Sequence, residues 1–254
     1  MINLHTLYQM LLALGIGVCG SIVFIFLGLP LPWLLGAIFA SSIAMRFEKL
    51  PILSPKPFST PARILIGLTI GSAFTPEILQ YIDVYFYSLL LVIPFTILTI
   101  ICGMYYYYRF QGFDKKTAYL SSMPGGVIEM VIIGEEIKAN ISKITLVQSS
   151  RLFFIVVTLP FVIQYIFKVD ISGNKLITQP ITTINIPEFL ALVFIGVAGG
   201  VIAKKIKLSA AYLIGPMIAS IAVHSTGMIT TTVPDEFLKF VQVVFGTIIG
   251  FTFR

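Results

Sequence analysis

Charged residues are scarce in this sequence, at 11% of its 254 residues, whereas 57% of the residues are hydrophobic. The mean hydropathy is +0.98. A soluble domain carries about 25% charged residues, and its core does not need such an excess of apolar side chains. We therefore expect the excess to face lipid, which argues against a soluble enzyme or a DNA-binding factor.

Residue types that build metal and cofactor sites are also few. The two cysteines, Cys19 and Cys102, lie in apolar runs without metal-ligand spacing, as inert small hydrophobes do. Of the two histidines, His5 is near the terminus and His224 near the end of an apolar run, so no imidazole-rich metal site is expected. No phosphate-binding loop, DNA-binding module or nucleophile and base pair is visible. We expect no cofactor, no nucleic-acid partner and no enzymatic activity.

Apolar runs have the length that a bilayer demands, since about 30 Å of hydrocarbon takes roughly 20 helical residues. They do not alternate polar and apolar residues as membrane strands do, so helices are expected. The N-terminus lacks the features of a cleaved signal, so the first run is expected to be retained. The predicted spans are 10–28, 32–47, 60–76, 84–108, 142–167, 187–204, 210–227 and 236–254. The sequence thus predicts an all-α polytopic membrane protein with about eight transmembrane helices.

Basic residues sort by side if each predicted span crosses once and residues 114–140 enter and leave on the same side. One side collects Arg46, Lys49, Lys56, Arg63, Arg109, Lys115, Lys116, Lys138, Lys143, Lys204, Lys205, Lys207 and Arg254. The other side receives only Lys168, Lys175 and Lys239. The positive-inside rule makes the first side cytoplasmic, which predicts a multi-pass plasma membrane protein with a cytoplasmic N-terminus.

The second half of the sequence repeats the first without a gap. Twelve residues of the first half recur, with the same identity, 179 positions later. The first set is Gly17, Gly20, Leu29, Leu34, Gly36, Ala40, Ser41, Pro55, Phe58, Gly67, Gly71 and Phe74. The corresponding residues, in the same order, are Gly196, Gly199, Leu208, Leu213, Gly215, Ala219, Ser220, Pro234, Phe237, Gly246, Gly250 and Phe253. Five predicted spans, an odd number, separate equivalent points, so the two repeats are expected to have inverted topology. The predicted organisation is a first membrane repeat over 1–167, a linker over 168–186 and a truncated second repeat over 187–254. The repeat symmetry predicts a complete protein of about 350 residues.

Broken apolar segments at matching positions of the two repeats are the first functional candidate. Pro30 and Pro32 interrupt the chain before Trp33 and Gly36, and the matching segment contains Tyr212, Gly215 and Pro216. In inverted repeats, such breaks line a central site. Tight turns with Trp33 and Tyr212 as interfacial anchors are the alternative.

The second candidate is the segment 121–130, which joins hydroxyls, a proline, a glycine pair and a carboxylate. Its candidate residues are Ser121, Ser122, Pro124, Gly125, Gly126 and Glu129. The glycines permit exposed amides, and a helix beginning after them would present its positive end to an anion. We predict a re-entrant segment beside a pathway, and the alternative is a solvated amphipathic loop.

Gln148 and Arg151, within the apolar run 144–167, are the third candidate. An intramembrane arginine is costly unless it is partnered, so by default it marks a functional site. Glu129 is the expected partner of Arg151. Alternatively, Arg151 snorkels to the interface.

Leu-Pro-x-Pro-Trp-Leu-Leu-Gly at 29–36, Met-Pro-Gly-Gly-x-x-Glu-Met at 123–130, Arg151 after Gln-Ser-Ser and the duplicated Gly-x-x-x-Gly spans together resemble the AbrB family of bacterial membrane proteins. Members are often labelled ammonia monooxygenase or transcriptional regulator, and the resemblance implies a longer, two-copy protein involved in the control of gene expression. The sequence supports neither label mechanistically, because metal ligands and a DNA-binding module are lacking.

The leading interpretation is a secondary transporter or permease for a small solute, with anions as candidates. Arg151 and the glycine-rich amides would bind the solute, and Glu129 could carry a coupling proton. The alternative is a membrane-embedded regulator that acts on gene expression through a partner. A homo-oligomer is compatible with either interpretation.

Overall fold

The computed structural model describes residues 4–47, 50–76, 82–168 and 180–253, and helices are the only regular structure in these ranges. The helices are α1 (Leu4–Phe26), α2 (Pro32–Ala44), α3 (Ser59–Ser72), α4 (Ile82–Arg109), α5 (Lys115–Ser122), α6 (Val127–Glu136), α7 (Ile141–Phe161), α8 (Ile186–Lys205), α9 (Ala211–Ser225) and α10 (Asp235–Gly250). Short 3-10 turns lie at 56–58, 181–183 and 251–253, and a π turn follows Pro160 at 162–166. The predicted all-α class is confirmed.

The chain packs as two compact units. Unit 1 comprises residues 1–80 and 160–254, and unit 2 comprises residues 81–159. Unit 1 contains α1 to α3 and α8 to α10, whereas α4 to α6 and most of α7 form unit 2. These packing units follow different borders from the predicted repeats, and most of the predicted linker 168–186 lies outside the described residues.

Within the described ranges, four helices are long and apolar enough to cross a membrane: Leu4–Phe26, Phe86–Arg109, Ile141–Ile166 and Ile186–Lys205. They correspond to the predicted spans 10–28, 84–108, 142–167 and 187–204. The other four predicted spans coincide with α2, α3, α9 and α10, which have 13, 14, 15 and 16 residues. These helices are shorter than the roughly 20 residues of a full crossing, so the number of crossings stays a prediction.

Helix α4 shows the apolar surface most clearly, because its span has no buried residue. Leu91 is 69% exposed and Phe95 is 68% exposed. A helix whose surface is apolar and exposed on all sides is expected to lie in the hydrocarbon of a membrane. Several such apolar helices indicate a membrane protein.

Unit 1 shows the same backbone geometry at positions 179 residues apart. Leu31 precedes α2 and Ala210 precedes α9, and both have left-handed backbone angles, with φ of 42° and 50°. Gly28 after α1 and Lys207 after α8 also share a positive φ, of 64° and 57°. A left-handed non-glycine residue costs about 1–3 kcal/mol and persists only where its surroundings impose it. The two turns are therefore imposed by packing, since their sequences differ.

The short helices of unit 1 cross at glycines that lie 179 positions apart. A Cβ on Gly67 of α3 would collide with the carbonyl oxygen of Leu213 in α9, and one on Gly246 of α10 would lie 2.5 Å from the carbonyl oxygen of Leu34 in α2. Helix α3 thus packs on α9 and α10 packs on α2. Each crossing joins an early helix to a late one, which places the beginning and end of the chain in one core.

Candidate functional site

A helix break in unit 2 forms the centre of the candidate site. Helix α5 begins at its N-cap, Asp114, whose carboxylate accepts a hydrogen bond from the Thr117 backbone N–H at 3.1 Å. Hydrogen bonds from the side chain and the backbone of Thr117 hold the pKa of Asp114 below its ordinary value. The helix ends at Ser122, because Pro124 cannot donate a backbone hydrogen bond and disfavours helix before it. Residues 123–126 are not helical, and α6 begins at Val127.

Gln148 of α7 supplies a hydrogen bond that the proline removes. The carbonyl of Leu120 lies four residues before Pro124 and would accept from its N–H in a continuous helix. Instead, Gln148 Nε2 donates to the Leu120 carbonyl at 2.8 Å and to the Met123 carbonyl at 3.0 Å. The Gln148 side chain is fully buried, so these bonds form away from water.

Arg151 lies one turn further along α7 and also binds the break. Its Nη1 donates to the Met123 carbonyl at 3.2 Å, and its Nη2 donates to the Gly125 carbonyl at 3.4 Å. Arg151 is half-buried. The guanidinium has five N–H groups, so these two contacts leave it further capacity to donate.

Two buried polar atoms at this break have no hydrogen-bond partner among the residues that the structure describes. They are the Oε1 atom of Gln148 and the Oγ atom of Ser121. Both residues are at most 1% exposed. Helix α6 adds further donors, because its N-cap residue, Gly126, has no side chain that could cap the first N–H groups. The break therefore combines a cation, the N-terminal N–H groups of α6 and two buried polar atoms without a partner among the described residues.

The neighbouring contacts hold the three helices of the break in place. The Lys116 ammonium donates to the Ile137 carbonyl at 3.0 Å, and the Asn140 N–H donates to Thr117 Oγ1 at 2.9 Å. A small apolar cluster of Leu120, Met130 and Ile144 closes one side. These contacts fix the ends of α5, α6 and α7 against one another.

The expected pairing of Arg151 with Glu129 is not described by the structure. The backbone of Glu129 belongs to α6, but its side chain lies outside the described residues. The carbonyls of Met123 and Gly125 are the observed partners of Arg151. The ion pair with Glu129 stays a prediction.

The remaining candidate residues lie in unit 1. Pro30, Pro32 and Gly36 are buried, and Trp33 packs against the core cluster that includes Leu14. Three further candidates belong to α9: Tyr212, Gly215 and Pro216. Gly215 and Pro216 are buried, and the Lys204 ammonium lies 5.6 Å above the Tyr212 ring. The structure thus shows Trp33 as a packing residue of unit 1.

The sequence analysis missed the carbonyl groups of Leu120 and Met123, because it considered side chains and backbone amides as the functional groups and not backbone carbonyls. A signal was present, since Pro124 lacks the N–H that would pair with the Leu120 carbonyl. The spacing of Gln148 and Arg151, three residues apart on one helix, was a second signal, because such residues share a face.

The sequence profile of the family described as "Transition state regulatory protein AbrB" matches residues 33–254. A protein of Bacillus subtilis (strain 168), "Uncharacterized protein YhjN", is 24% identical over 232 residues, which cover 86% of this chain and 60% of the relative. "Putative regulator AbrB" of Escherichia coli (strain K12) is 23% identical over 235 residues, which cover 92% of this chain and 66% of the relative. The chain thus spans about two thirds or less of the length of these curated relatives. No solved structure matches the chain. The match of the family profile to most of the sequence shows that this chain belongs to the AbrB family.

Proposed function

We propose that this protein is a secondary transporter or permease for a small anionic solute, and not an enzyme. The observation that carries the proposal is the Arg151 guanidinium, which two backbone carbonyls hold at the break between α5 and α6. A charged side chain in an apolar helix costs several kcal/mol unless it is partnered, and such residues commonly mark solute pathways. Non-helical backbone at membrane depth requires a protein-shielded or water-lined environment, which a pathway provides.

The chemistry of the break favours an anion. Hydrogen-bond donors come from two places: the N–H groups of Arg151 that do not bind the carbonyls, and the first N–H groups of α6. The dipole of α6 adds partial positive charge at the same end of the helix. The Ser121 hydroxyl, buried and without a partner, supplies one more donor for a bound solute. Glu129 is the proposed carrier of a coupling proton in this unit.

Inverted repeats are part of the proposal. The contacts of Gly67 and Gly246 and the turns at Leu31 and Ala210 lie 179 residues apart and have the same geometry, which supports a repeated unit. Short helices at matching positions are typical of transporters whose broken elements meet near the midplane. We place the N-terminus in the cytoplasm, propose eight crossings and assign the breaks near Pro32 and Tyr212 to the centre of unit 1.

Uptake by proteoliposomes tests the proposal directly. The whole protein would be reconstituted and supplied with a panel of radiolabelled carboxylates and inorganic anions under imposed proton and sodium gradients. We expect uptake of at least one anion and a loss of tenfold or more in Arg151→Ala, because a charge-assisted hydrogen bond contributes about 1.5–3 kcal/mol. The matched control is Arg109→Ala, at an exposed helix end, which should stay within about twofold of wild type. Absence of flux across the whole panel would contradict the proposal.

A regulator that acts through a partner is the second candidate. It is favoured by the printed names of the family and of the Escherichia coli relative, which both refer to regulation. Affinity purification from membranes that yields one specific regulatory protein, together with absent anion flux, would select it over transport. Flux in the proteoliposome assay without such a partner would select transport.

A further inference from the structure

A buried histidine in unit 1 has no role in the site of unit 2. His224 lies near the end of α9 and is 4% exposed. Its Nδ1 atom is 2.9 Å from the carbonyl oxygen of Ser220, and its Nε2 atom is 3.1 Å from the carbonyl oxygen of Thr231. A carbonyl oxygen only accepts hydrogen bonds, and a neutral imidazole has one N–H. Both contacts are hydrogen bonds only when the ring carries two protons.

The Ser220 hydroxyl connects this ring to α3. Its Oγ atom is 2.8 Å from the carbonyl oxygen of Leu68 and 3.2 Å from His224 Nδ1. The hydroxyl has a single hydrogen, so it donates fully to one of these two atoms. When the ring is doubly protonated, the hydroxyl donates to Leu68. When the ring is neutral with its hydrogen on Nε2, the hydroxyl can turn to Nδ1, and the Leu68 carbonyl keeps only its partner within helix α3.

We propose that His224 is a proton-binding site whose occupancy decides whether Ser220 of α9 hydrogen-bonds to Leu68 of α3. One proton from water binds Nδ1, and the same proton returns to water when the site empties. No covalent bond other than this N–H forms or breaks. The site therefore couples protonation to a contact between an early and a late helix of unit 1.

The charged groups on the packed elements are compatible with a cation at His224. On α8, the Glu188 carboxylate accepts from Thr231 Oγ1 at 2.8 Å, and the Thr231 carbonyl faces the ring. On α10, Asp235 pairs with Lys239 at 2.6 Å, and Glu236 accepts from the Ile181 N–H at 3.2 Å. Helix α3 carries Arg63, five residues before Leu68, and α9 has no charged residue other than the histidine. Among these groups in the described residues, Glu188 is the one linked to His224, through Thr231.

The matching position of the first repeat argues against a purely structural role. The residue 179 positions before His224 is Met45, and the equivalent of Ser220 is Ser41. Ser41 is 1% exposed, and its hydroxyl has no partner in the described part of the chain. The crossing of α2 and α10 therefore forms without an imidazole, so packing alone does not require one at the crossing of α3 and α9.

Nitrogen NMR of the full chain in lipid bilayers tests the proposal, because only two histidines contribute. In protein labelled with ¹⁵N in the histidine rings, His5→Gln removes the exposed histidine and leaves His224 alone. We expect two protonated ring nitrogens at the acidic end of a pH series over which the protein stays folded, and one at the basic end. A ring whose number of protons is the same at both ends would overturn the proposal.

The coupling to Leu68 has its own readout. Labelling with ¹³C-carbonyl leucine and ¹⁵N-threonine marks two peptide bonds, Leu68–Thr69 and Leu98–Thr99. We expect the Leu68 carbonyl shift to change over the same pH range as His224, whereas Leu98 on the exposed helix α4 stays constant. In Ser220→Ala, His224 should still titrate while Leu68 no longer follows it. A Leu68 carbonyl that is constant in the unsubstituted chain would overturn the coupling. Neither readout uses solute flux, so its failure is distinguishable from failure of transport.

Discussion

Gln148 illustrates how one side chain can hold a broken helix. Its amide nitrogen donates to two carbonyls, of Leu120 and Met123, and the whole side chain is buried. The Met123 carbonyl has a second donor in Arg151. For the Leu120 carbonyl, the donor that the structure shows is Gln148. A buried carbonyl without a donor costs about 1–3 kcal/mol.

Gln148→Leu is expected to lower the free energy of unfolding by about 1–3 kcal/mol, because leucine keeps the volume and removes the donor to Leu120. Titration with sodium dodecyl sulfate in mixed micelles measures this energy. Gln111→Leu makes the same change at an exposed position and should stay within about 0.5 kcal/mol of wild type. Equal effects of the two substitutions would show that the hydrogen bonds of Gln148 do not stabilise the break.

Helix crossings in unit 1 depend on glycines that bring backbones into direct contact. Gly67 faces the backbone of α9, and Gly246 faces the backbone of α2. Membrane helices lack a hydrophobic drive to associate, since lipid is as apolar as leucine, so close packing at small residues supplies much of the attraction. A rigid backbone opposite a glycine cannot move aside as a side chain can.

Gly67→Ala and Gly246→Ala are each expected to destabilise the protein by about 1–3 kcal/mol, because the added methyl group overlaps a carbonyl. Thermal unfolding of the purified protein followed by circular dichroism measures the loss. Gly15→Ala in α1 is the control, since a Cβ there meets no atom within 4 Å and alanine favours helix. If Gly15→Ala were as harmful as the other two, the crossings would not be the cause.

For the whole molecule, the proposed inverted repeats depend on the side of the membrane on which each loop lies. The unequal distribution of lysine and arginine predicts that Lys56 and Lys204 share the cytoplasmic side and that Lys239 lies opposite. Lys56 and Lys204 are exposed.

Cysteine labelling in intact cells measures this topology. In a background with Cys19→Ala and Cys102→Ala, a membrane-impermeant maleimide should modify Lys239→Cys from outside. Lys56→Cys and Lys204→Cys should react only after the membrane is made permeable. Labelling of Lys56→Cys and Lys204→Cys from opposite sides would contradict the proposed topology and remove the inverted repeats from the transport proposal.

The sequence predicted the helical class, the apolar surface and the break near Pro124, because these depend on composition and on local backbone chemistry. It overestimated the length of four helices, since hydropathy alone does not show where α2, α3, α9 and α10 end. It also could not predict the left-handed turn at Ala210, where neither glycine nor proline is present and packing imposes the angle.

By itself, the sequence determined that this protein presents apolar helices and that its two halves share a spacing of 179 residues. Only the tertiary structure decided which groups those helices bring together. Arg151 meets the carbonyls of Met123 and Gly125, and His224 lies between two carbonyls. The physical reason is that these partners are backbone oxygens, which every residue has, so their positions depend on folding and not on residue type.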